Sequence, residues 1–193
     1  VSMCNPRSVV SEKKAALNEK NFFVAARLSE AKGFDLLMDS FYQFCQQDDE
    51  WKLVIAGDGE LREEIIDLVW QYGLQERVVF TGMTNQVEKY YLNSSVYLMP
   101  SKWEGWGLVV IEAFEMGLPV IAYDIVPMDV LITNGYDGII VEKFDAGKYA
   151  AAMLELAHND ELRKEMGKRA VETARKFSAP KIAQLWIDMI NGN

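Results

Sequence analysis

Two glutamates, Glu104 and Glu112, stand eight positions apart and enclose the glycines Gly105 and Gly107. Glycine lets the backbone approach a ligand closely with its N–H groups directed outward. The preceding apolar run, Val96–Met99, predicts a strand, then a loop with Glu104 and a helix that carries Glu112 and ends at Gly117. The first N–H groups of a helix lack internal partners, so this corner suits a phosphate. The spacing alone fits equally well an arrangement without a ligand, in which Glu104 is a solvated loop residue and Glu112 is stabilised by the helix dipole.

A second candidate anion site comprises Arg27 and Lys32, which follow the first predicted strand and precede the first predicted helix. Cations beside a helix N-terminus are unfavourably placed, because the dipole there favours anions. An anionic ligand would resolve this conflict, and ligands of open α/β sheets bind at the carboxyl ends of strands. The alternative is a pair of surface cations that are solvated or paired with Glu30 or Asp35.

Short apolar runs alternate with helical patterns along the chain, which predicts a Rossmann-like α/β fold. We expect a doubly wound parallel sheet of about six strands, with helices on both faces and further helices at the C-terminal end. The predicted strands are residues 21–27, 52–57, 77–82, 96–99, 119–123 and 138–141, and the last three helices are residues 148–158, 161–177 and 179–190. Residues 1–20 are predicted to form a linker or edge segment.

Composition excludes several classes of protein. The net charge of −9 argues against general nucleic-acid binding. Two cysteines make no disulfide framework, and no Cys/His cluster has metal-ligand spacing, so no metal is expected. The sequence has no apolar run of about 20 residues and no recognisable signal peptide, which makes the cytoplasm the expected compartment.

Three further features are open to two interpretations. Gly57-Asp58-Gly59 lacks the third glycine of a dinucleotide fingerprint, which disfavours a nicotinamide enzyme and fits a tight strand-to-helix turn. His158, the only histidine, fits a partner for a helix C-terminus better than a catalyst. The cations of the C-terminal region form either a solvated face or a surface for anionic membranes; they are Arg163, Lys164, Lys168, Arg169, Arg175, Lys176 and Lys181.

The order of motifs over residues 20–177 resembles the C-terminal, donor-binding domain of GT-B glycosyltransferases of the glycosyltransferase 4 family. The motifs that carry the resemblance are Arg27-x4-Lys32-Gly33-Phe34-Asp35, Ala56-Gly57-Asp58-Gly59-Glu60, Val79-Phe80-Thr81-Gly82, Pro100-Ser101, Glu104-Gly105-x-Gly107-Leu108, Glu112-Ala113 and Gly117-Leu118-Pro119-Val120. Together and in this order they are highly specific, whereas each alone is weak.

The resemblance implies a role for each candidate residue. Arg27 and Lys32 would hold the diphosphate of a nucleotide-sugar, and Glu112 would accept hydrogen bonds from the ribose hydroxyls. Arg27, Lys32 and Glu104 are the implied catalytic residues. The implied substrate-binding residues are Gly57, at a turn bordering the nucleotide cleft, Met83, beside the nucleobase, the loop residues Gly105, Trp106, Gly107, Leu108 and Val109, and Glu112. Met83 fits equally well as a gap-filling methionine of the core.

The resemblance also implies an activity and its partners. A retaining glycosyltransferase would use a nucleotide-sugar, by family frequency a UDP-sugar, without a metal or other cofactor. The acceptor would be a glycan or lipid-linked glycan in surface polysaccharide synthesis such as that of O-antigen, at the inner face of the plasma membrane. An N-terminal acceptor-binding half would complete the enzyme, and residues 178–193 would form a helix that crosses to it. The isolated chain would then bind nucleotide without catalysis; another Rossmann-type nucleotide enzyme, such as a dehydrogenase, is the third alternative.

One segment departs from the family's pattern. After the fifth predicted strand many relatives carry Gly-Pro and, shortly before a pair of aliphatic residues, a glutamate. Here no glycine precedes Pro127, and Val130 occupies the position of the glutamate. We therefore do not extend the family's sugar contacts to the segment of residues 124–132.

Overall fold

The computed structural model describes residues 13–177, which form a six-stranded, entirely parallel sheet with helices between the strands. The strands are β1 (Asn21–Ala25), β2 (Lys52–Ala56), β3 (Val78–Gly82), β4 (Val96–Met99), β5 (Val120–Tyr123) and β6 (Gly138–Val141). The helices are α1 (Phe34–Cys45), α2 (Arg62–Gln71), α3 (Val87–Leu92), α4 (Leu108–Glu115), α5 (Met128–Leu131), α6 (Ala146–His158) and α7 (Asp160–Ala174). The Rossmann-like fold class is thus confirmed.

The strand order is β3-β2-β1-β4-β5-β6. From β1 the chain builds the sheet outward to β3, then returns to β4 on the other side of β1 and builds outward to β6. Right-handed crossovers place the helices of these two halves on opposite faces. Helix α6 returns to pack against α1, and α7 packs against α4.

Both faces of the central strands are covered, so these strands are uniformly apolar. All four residues of β4 and all four of β5 are buried, as expected for a parallel sheet between two helical layers. Helix α1 contributes an apolar stripe of five buried residues at helical spacing, Phe34, Leu37, Met38, Phe41 and Phe44. The ring of Phe22 on β1 packs edge-on against Phe44, with ring centroids 5.0 Å apart.

The C-terminal helices begin at side-chain caps. Asp145 accepts a hydrogen bond from the Lys148 N–H at 2.9 Å and begins α6. Asn159 accepts one from the Leu162 N–H at 3.0 Å and begins α7. Such caps satisfy backbone donors that have no partner within the helix.

Arg163 corrects the prediction of a wholly exposed basic face on α7. Its side chain is buried and donates to the carbonyl oxygens of Leu156 and Ala157, the last residues of α6 before His158. The guanidinium also lies over the Trp51 ring, 5.1 Å from the centroid. Arg163 therefore joins α6, α7 and the core, and its charge is satisfied by carbonyl groups at the C-terminus of α6 and by the Asp160 carboxylate, 2.6 Å away.

The predicted element bounds differ from the observed ones mainly at the ends. The strands β4 and β6 coincide with their predictions, whereas β1 ends at Ala25, before the predicted Arg27. Helix α4 ends at Glu115, two residues before the predicted Gly117. The predicted helix of residues 179–190 and the predicted linker at residues 1–12 lie outside the described residues.

Candidate functional site

The candidate site lies at the carboxyl ends of β1 and β4, where the two halves of the sheet meet. Strands β1 and β4 are parallel neighbours. The strands that follow β1 extend the sheet to one side, and the strands that follow β4 extend it to the other. The pairing of β1 with β4 covers only Phe22 with Val96 and Phe23 with Tyr97, so their carboxyl ends separate. A crevice at this switch point is where open α/β sheets bind ligands.

Two cavities open along this edge and share the end of β1. The larger, of about 780 Å³, lies between the ends of β1, β2 and β3 and is lined by Ala25, Ala26, Arg27, Ala56, Gly57, Asp58, Gly59, Glu60, Met83, Thr84, Val87 and Glu112. The smaller, of about 450 Å³, lies toward β4 and is lined by Val24, Ala25, Ala26, Arg27, Lys32, Tyr97, Met99, Pro100, Ser101, Glu104, Trp106, Gly107, Leu108 and Val109. The predicted site residues other than Gly105 therefore line these two adjoining cavities.

Arg27 stands at the shared border of the two cavities, just beyond the end of β1. Its side chain is 74% exposed, and its Nε lies 3.1 Å from Glu60 Oε2 in the turn after β2. The Glu60 backbone N–H and then the Arg27 guanidinium lower the pKa of the Glu60 carboxyl. Arg27 therefore pairs with neither Glu30 nor Asp35, the partners that the sequence suggested for one of the two cations.

Lys32 ends a short 3-10 turn, Glu30–Lys32, that the sequence pattern did not reveal. Its ammonium donates to Glu104 Oε2 at 2.5 Å, and the two side chains are 24% and 15% exposed. Asp35 pairs with Lys102, whose Nζ lies 2.8 Å from Asp35 Oδ2. The loops after β1 and β4 are therefore joined by two ion pairs.

Backbone hydrogen bonds hold the same two loops together. The Lys102 N–H donates to the Ala31 carbonyl at 2.9 Å. Gly33 has φ of +64°, and a Cβ there would lie 2.1 Å from the Pro100 carbonyl oxygen. A side chain at this position would push the loops apart, so the close approach of Lys32 to Glu104 depends on a glycine at position 33.

Helix α4 begins directly above the smaller cavity. Gly107 precedes it with φ of +63°, and no side chain caps the helix. Gly107 packs on the segment after β5, since a Cβ would lie 2.8 Å from Met128 Cε and Leu131 Cδ1. The N-terminus of α4, with Leu108 and Val109, thus faces the cavity that contains Lys32 and Glu104, and such a terminus favours an anion.

Glu104 and Glu112 occupy different cavities. Glu104 lies in the loop after β4, where its Oε1 also accepts the Gly105 N–H at 3.1 Å. Glu112 lies one turn into α4 and lines the larger cavity. The Tyr91 hydroxyl donates to Glu112 Oε2 at 3.3 Å. Tyr91 belongs to α3, and the periodicity of that helix indicated a core residue without revealing this contact.

Gly57 and Met83 border the larger cavity from its other side. Gly57 has φ of +144°, and a Cβ there would lie 1.9 Å from the Ala26 carbonyl oxygen. The backbone of Gly57 therefore lies directly against the end of β1. Met83 is 84% exposed, so the alternative of a gap-filling core methionine is wrong.

Four large apolar side chains in the loop after β4 and the segment after β5 are exposed, and one of them, Trp106, lines the smaller cavity. Trp103 and Trp106, in the loop after β4, are 71% and 50% exposed, while Gly105 lies at the surface without lining either cavity. In the segment after β5, Val126 and Val130 are also exposed. The position where many relatives carry a glutamate therefore presents an aliphatic side chain to solvent.

The remaining sequence predictions concern residues away from the cleft. His158, in the last turn of α6, has its Nε2 3.1 Å from Asp48 Oδ2 and lines neither cavity. Within residues 13–177 no group of three His, Cys, Asp or Glu residues is arranged to hold a metal ion. None of the helices in that range has the length and apolar character needed to cross a membrane.

Comparisons with known proteins identify a family and relatives of this chain. The family model described as glycosyl transferases group 1 matches residues 8–173. An uncharacterized glycosyltransferase of Haemophilus influenzae is 30% identical over 188 residues, which cover 96% of this chain and 53% of that protein. The amylovoran biosynthesis glycosyltransferase AmsD of Erwinia amylovora is 29% identical over 178 residues, which cover 91% of this chain and 49% of AmsD. The chain thus spans about half the length of these relatives.

A solved structure shows the same fold in a longer protein. TarM of S. aureus, as a mutant in complex with fondaparinux, alpha-GlcNAc-glycerol and UDP, matches with a TM-score of 0.85 at 28% identity. The match covers 90% of this chain and 36% of the TarM chain.

Proposed function

Because the chain belongs to the glycosyl transferases group 1 family, we propose that it is the C-terminal, donor-binding half of a GT-B enzyme of the glycosyltransferase 4 family. In this proposal it binds a nucleoside diphosphate sugar. The observation that carries the proposal is the placement of Arg27 and Lys32 opposite the uncapped N-terminus of α4 at the switch point of the sheet. Two cations and a helix N-terminus around one cavity suit a diphosphate.

The division of the cleft supports an orientation for the donor. Arg27 lines both cavities, so the diphosphate is proposed to lie at their shared border. The nucleoside then occupies the larger cavity, with Glu112 accepting from the ribose hydroxyls and Met83 beside the base. The sugar occupies the smaller cavity, where Glu104, Trp106 and the backbone of residues 105–109 contact it.

The proposed chemistry follows from the charges at this border. Glycosyl transfer passes through an oxocarbenium-like state while negative charge grows on the departing diphosphate. Arg27, Lys32 and the first N–H groups of α4 are fixed before the reaction and stabilise that charge, so the proposal assigns no role to a metal. Retention at the anomeric carbon is part of the proposal through the resemblance to the glycosyltransferase 4 family.

The relatives support a choice of donor and acceptor. The TarM structure contains UDP, which supports a UDP-hexose or UDP-N-acetylhexosamine as the donor of this chain. AmsD acts in amylovoran biosynthesis by its name, which supports a glycan or lipid-linked acceptor in surface polysaccharide synthesis. The acceptor would bind to a further half of the protein, consistent with the chain's span of about half its relatives.

Calorimetric titration with UDP, GDP, ADP and NADH tests the proposed site. We expect one nucleoside diphosphate to bind, and we expect the Arg27→Ala/Lys32→Ala variant to lose at least about 100-fold in affinity, since each cation–phosphate contact contributes about 1.5–3 kcal/mol. Lys52→Ala/Arg169→Ala removes the same charge from residues that line neither cavity. This control should keep the wild-type affinity.

Two outcomes would contradict the proposal. Equal losses in the two double variants would mean that the net charge of the protein, and not the cleft, attracts the nucleotide. Binding of NADH in preference to every nucleoside diphosphate would favour a nicotinamide enzyme instead.

A further inference from the structure

A buried tyrosine supports the glutamate that faces the larger cavity. Tyr91, on α3, is 2% exposed and donates through its hydroxyl to Glu112 Oε2. Its ring packs edge-on against Phe23 at 4.9 Å and is stacked on Tyr97 at 5.6 Å. The hydroxyl position is therefore fixed by rings on β1 and β4.

Tyr97 fixes this aromatic group to the end of β1. The Tyr97 hydroxyl donates to the Ala25 carbonyl at 3.1 Å and accepts the Ala25 N–H at 3.3 Å. These bonds replace the ladder between β1 and β4 just where the two strands separate. Ala25 lines both cavities. The hydrogen bonds of Tyr97 therefore connect the ring packed against Tyr91 to the backbone that lines the cleft.

The raised pKa of Tyr91 keeps its hydroxyl protonated, and therefore a hydrogen-bond donor, at neutral pH. Burial, followed by the nearby Tyr97 hydroxyl and Glu112 carboxylate, raises the pKa of Tyr91 well above its usual value of 10. A neutral hydroxyl beside a carboxylate forms a charge-assisted hydrogen bond. The contact thus holds one carboxylate oxygen from the protein side and limits rotation of the Glu112 side chain.

We infer that Tyr91 is a positioning residue for ribose recognition: it fixes Glu112 so that the carboxylate faces the ribose hydroxyls of a ribonucleoside diphosphate in the larger cavity. This inference rests on the proposed function. A freely rotating carboxylate would pay an entropic cost each time it aligned with the ribose, whereas a fixed one does not. Tyr91 acts through Glu112 and touches no ligand itself.

Discrimination between UDP and 2′-deoxy-UDP measures this role. Calorimetry on the wild-type chain should show a preference for UDP, and Tyr91→Phe should reduce that preference about five- to tenfold, mainly by weakening UDP. Tyr90→Phe is the matched control, since it removes a hydroxyl from the neighbouring residue, whose ring also stacks on Phe23. The Tyr90→Phe variant should keep the wild-type preference.

A double-mutant cycle separates positioning from a structural effect. In a Glu112→Ala background, Tyr91→Phe should change the UDP preference no further, because the group that it positions is gone. The preference is a ratio within each variant, so a modest loss of stability does not mimic the result. If Tyr91→Phe fails to fold, Tyr91→4-fluorophenylalanine, which fills the space of the hydroxyl but donates no hydrogen bond to Glu112, should reduce the preference to a similar extent.

The outcomes distinguish the inference from the proposed function. An unchanged preference in Tyr91→Phe, or equal weakening of UDP and 2′-deoxy-UDP, would overturn the positioning role alone. In the event that Tyr91→Phe does not fold, an unchanged preference in Tyr91→4-fluorophenylalanine would do the same. Absence of binding by the wild-type chain to UDP, GDP and ADP alike would overturn the proposed function together with this inference; if GDP or ADP binds instead of UDP, the same comparison is made with its 2′-deoxy form.

Discussion

At the scale of single residues, the proposed diphosphate cations already have carboxylate partners. Lys32 pairs with Glu104 and Arg27 with Glu60. The first pair is partly buried and the second exposed, so solvent weakens the second more strongly. A diphosphate that binds Lys32 has to compete with Glu104, and the ligand's negative charge is also repelled by that carboxylate.

Glu104→Gln should therefore tighten binding of UDP about three- to tenfold, because the substitution removes a competing charge next to Lys32. Calorimetry at low and high salt measures the effect, which should shrink as salt screens the charges. Glu165→Gln is a suitable control, since Glu165 pairs with Arg169 on α7, away from the cleft. Weaker UDP binding by Glu104→Gln would show that this carboxylate organises Lys32 for the diphosphate and does not compete with it.

The sequence predicted the charged residues of the cleft but not their partners. Arg27, Lys32, Glu104 and Glu112 stand out because charged residues beside predicted strand ends and glycines are chemically informative. The contact of Tyr91 with Glu112 joins residues 21 positions apart, and the helical period of α3 reports only that the tyrosine faces the core. Pairings of this kind depend on how helices pack, which local patterns do not encode.

At the scale of elements, the turn after β2 sets the shape of the larger cavity. Gly57 lies against Ala26 at the end of β1, and only a residue without a Cβ fits this approach. The adjoining Leu28 N–H donates to the Asp58 carbonyl at 3.0 Å. The loops after β1 and β2 thus form one surface, which supports Arg27.

Gly57→Ala should destabilise the chain by roughly 3–5 kcal/mol, since the new Cβ meets a backbone carbonyl that cannot move without displacing β1. Urea unfolding measures the loss. Gly73→Ala is the matched control: Gly73 also has positive φ, +68°, but a Cβ there meets nothing within 4 Å. This control should cost only about 1–2 kcal/mol, the intrinsic penalty for a left-handed backbone. Equal losses would mean that backbone strain, and not the contact with β1, makes Gly57 necessary.

The elements themselves were largely predictable, because strands buried on both faces produce continuous apolar runs such as those of β4 and β5. Their ends were less predictable. The 3-10 turn of Glu30–Lys32 ends at Gly33, which packs against Pro100. Helix α4 ends before Met116, whose carbonyl accepts the Ala15 N–H at 2.9 Å. The sequence pattern contains no sign of either contact.

At the scale of the whole molecule, the chain contains a proposed donor site but spans about half of its relatives. The proposed cleft opens at the carboxyl edge of the sheet, where an acceptor would have to approach from outside residues 13–177. Residues for acceptor binding are therefore expected in a further part of the protein.

We expect this chain to bind UDP or a UDP-sugar without transferring the sugar. Incubation with UDP-N-acetylglucosamine and candidate glycan acceptors, followed by chromatography of released UDP, measures turnover. A chain extended by the proposed N-terminal acceptor-binding half is the control, and it should release UDP at least about 100-fold faster, because the acceptor is then held beside the donor. Transfer by the chain alone at the rate of the extended protein would place the acceptor site within these residues.

The pairing of β1 with β4 also has a consequence for folding. It joins segments more than 70 positions apart in sequence, whereas β1, β2 and β3 are successive neighbours, as are β4, β5 and β6. Each three-strand half closes short loops, but their union closes a long one and comes at a higher entropic cost. Both cavities are lined by residues from the two halves, so the complete cleft exists only after that union and ligand binding reports that the halves have paired. A ligand bound to residues of both halves would oppose their separation, by a free energy that grows with the logarithm of the ligand concentration.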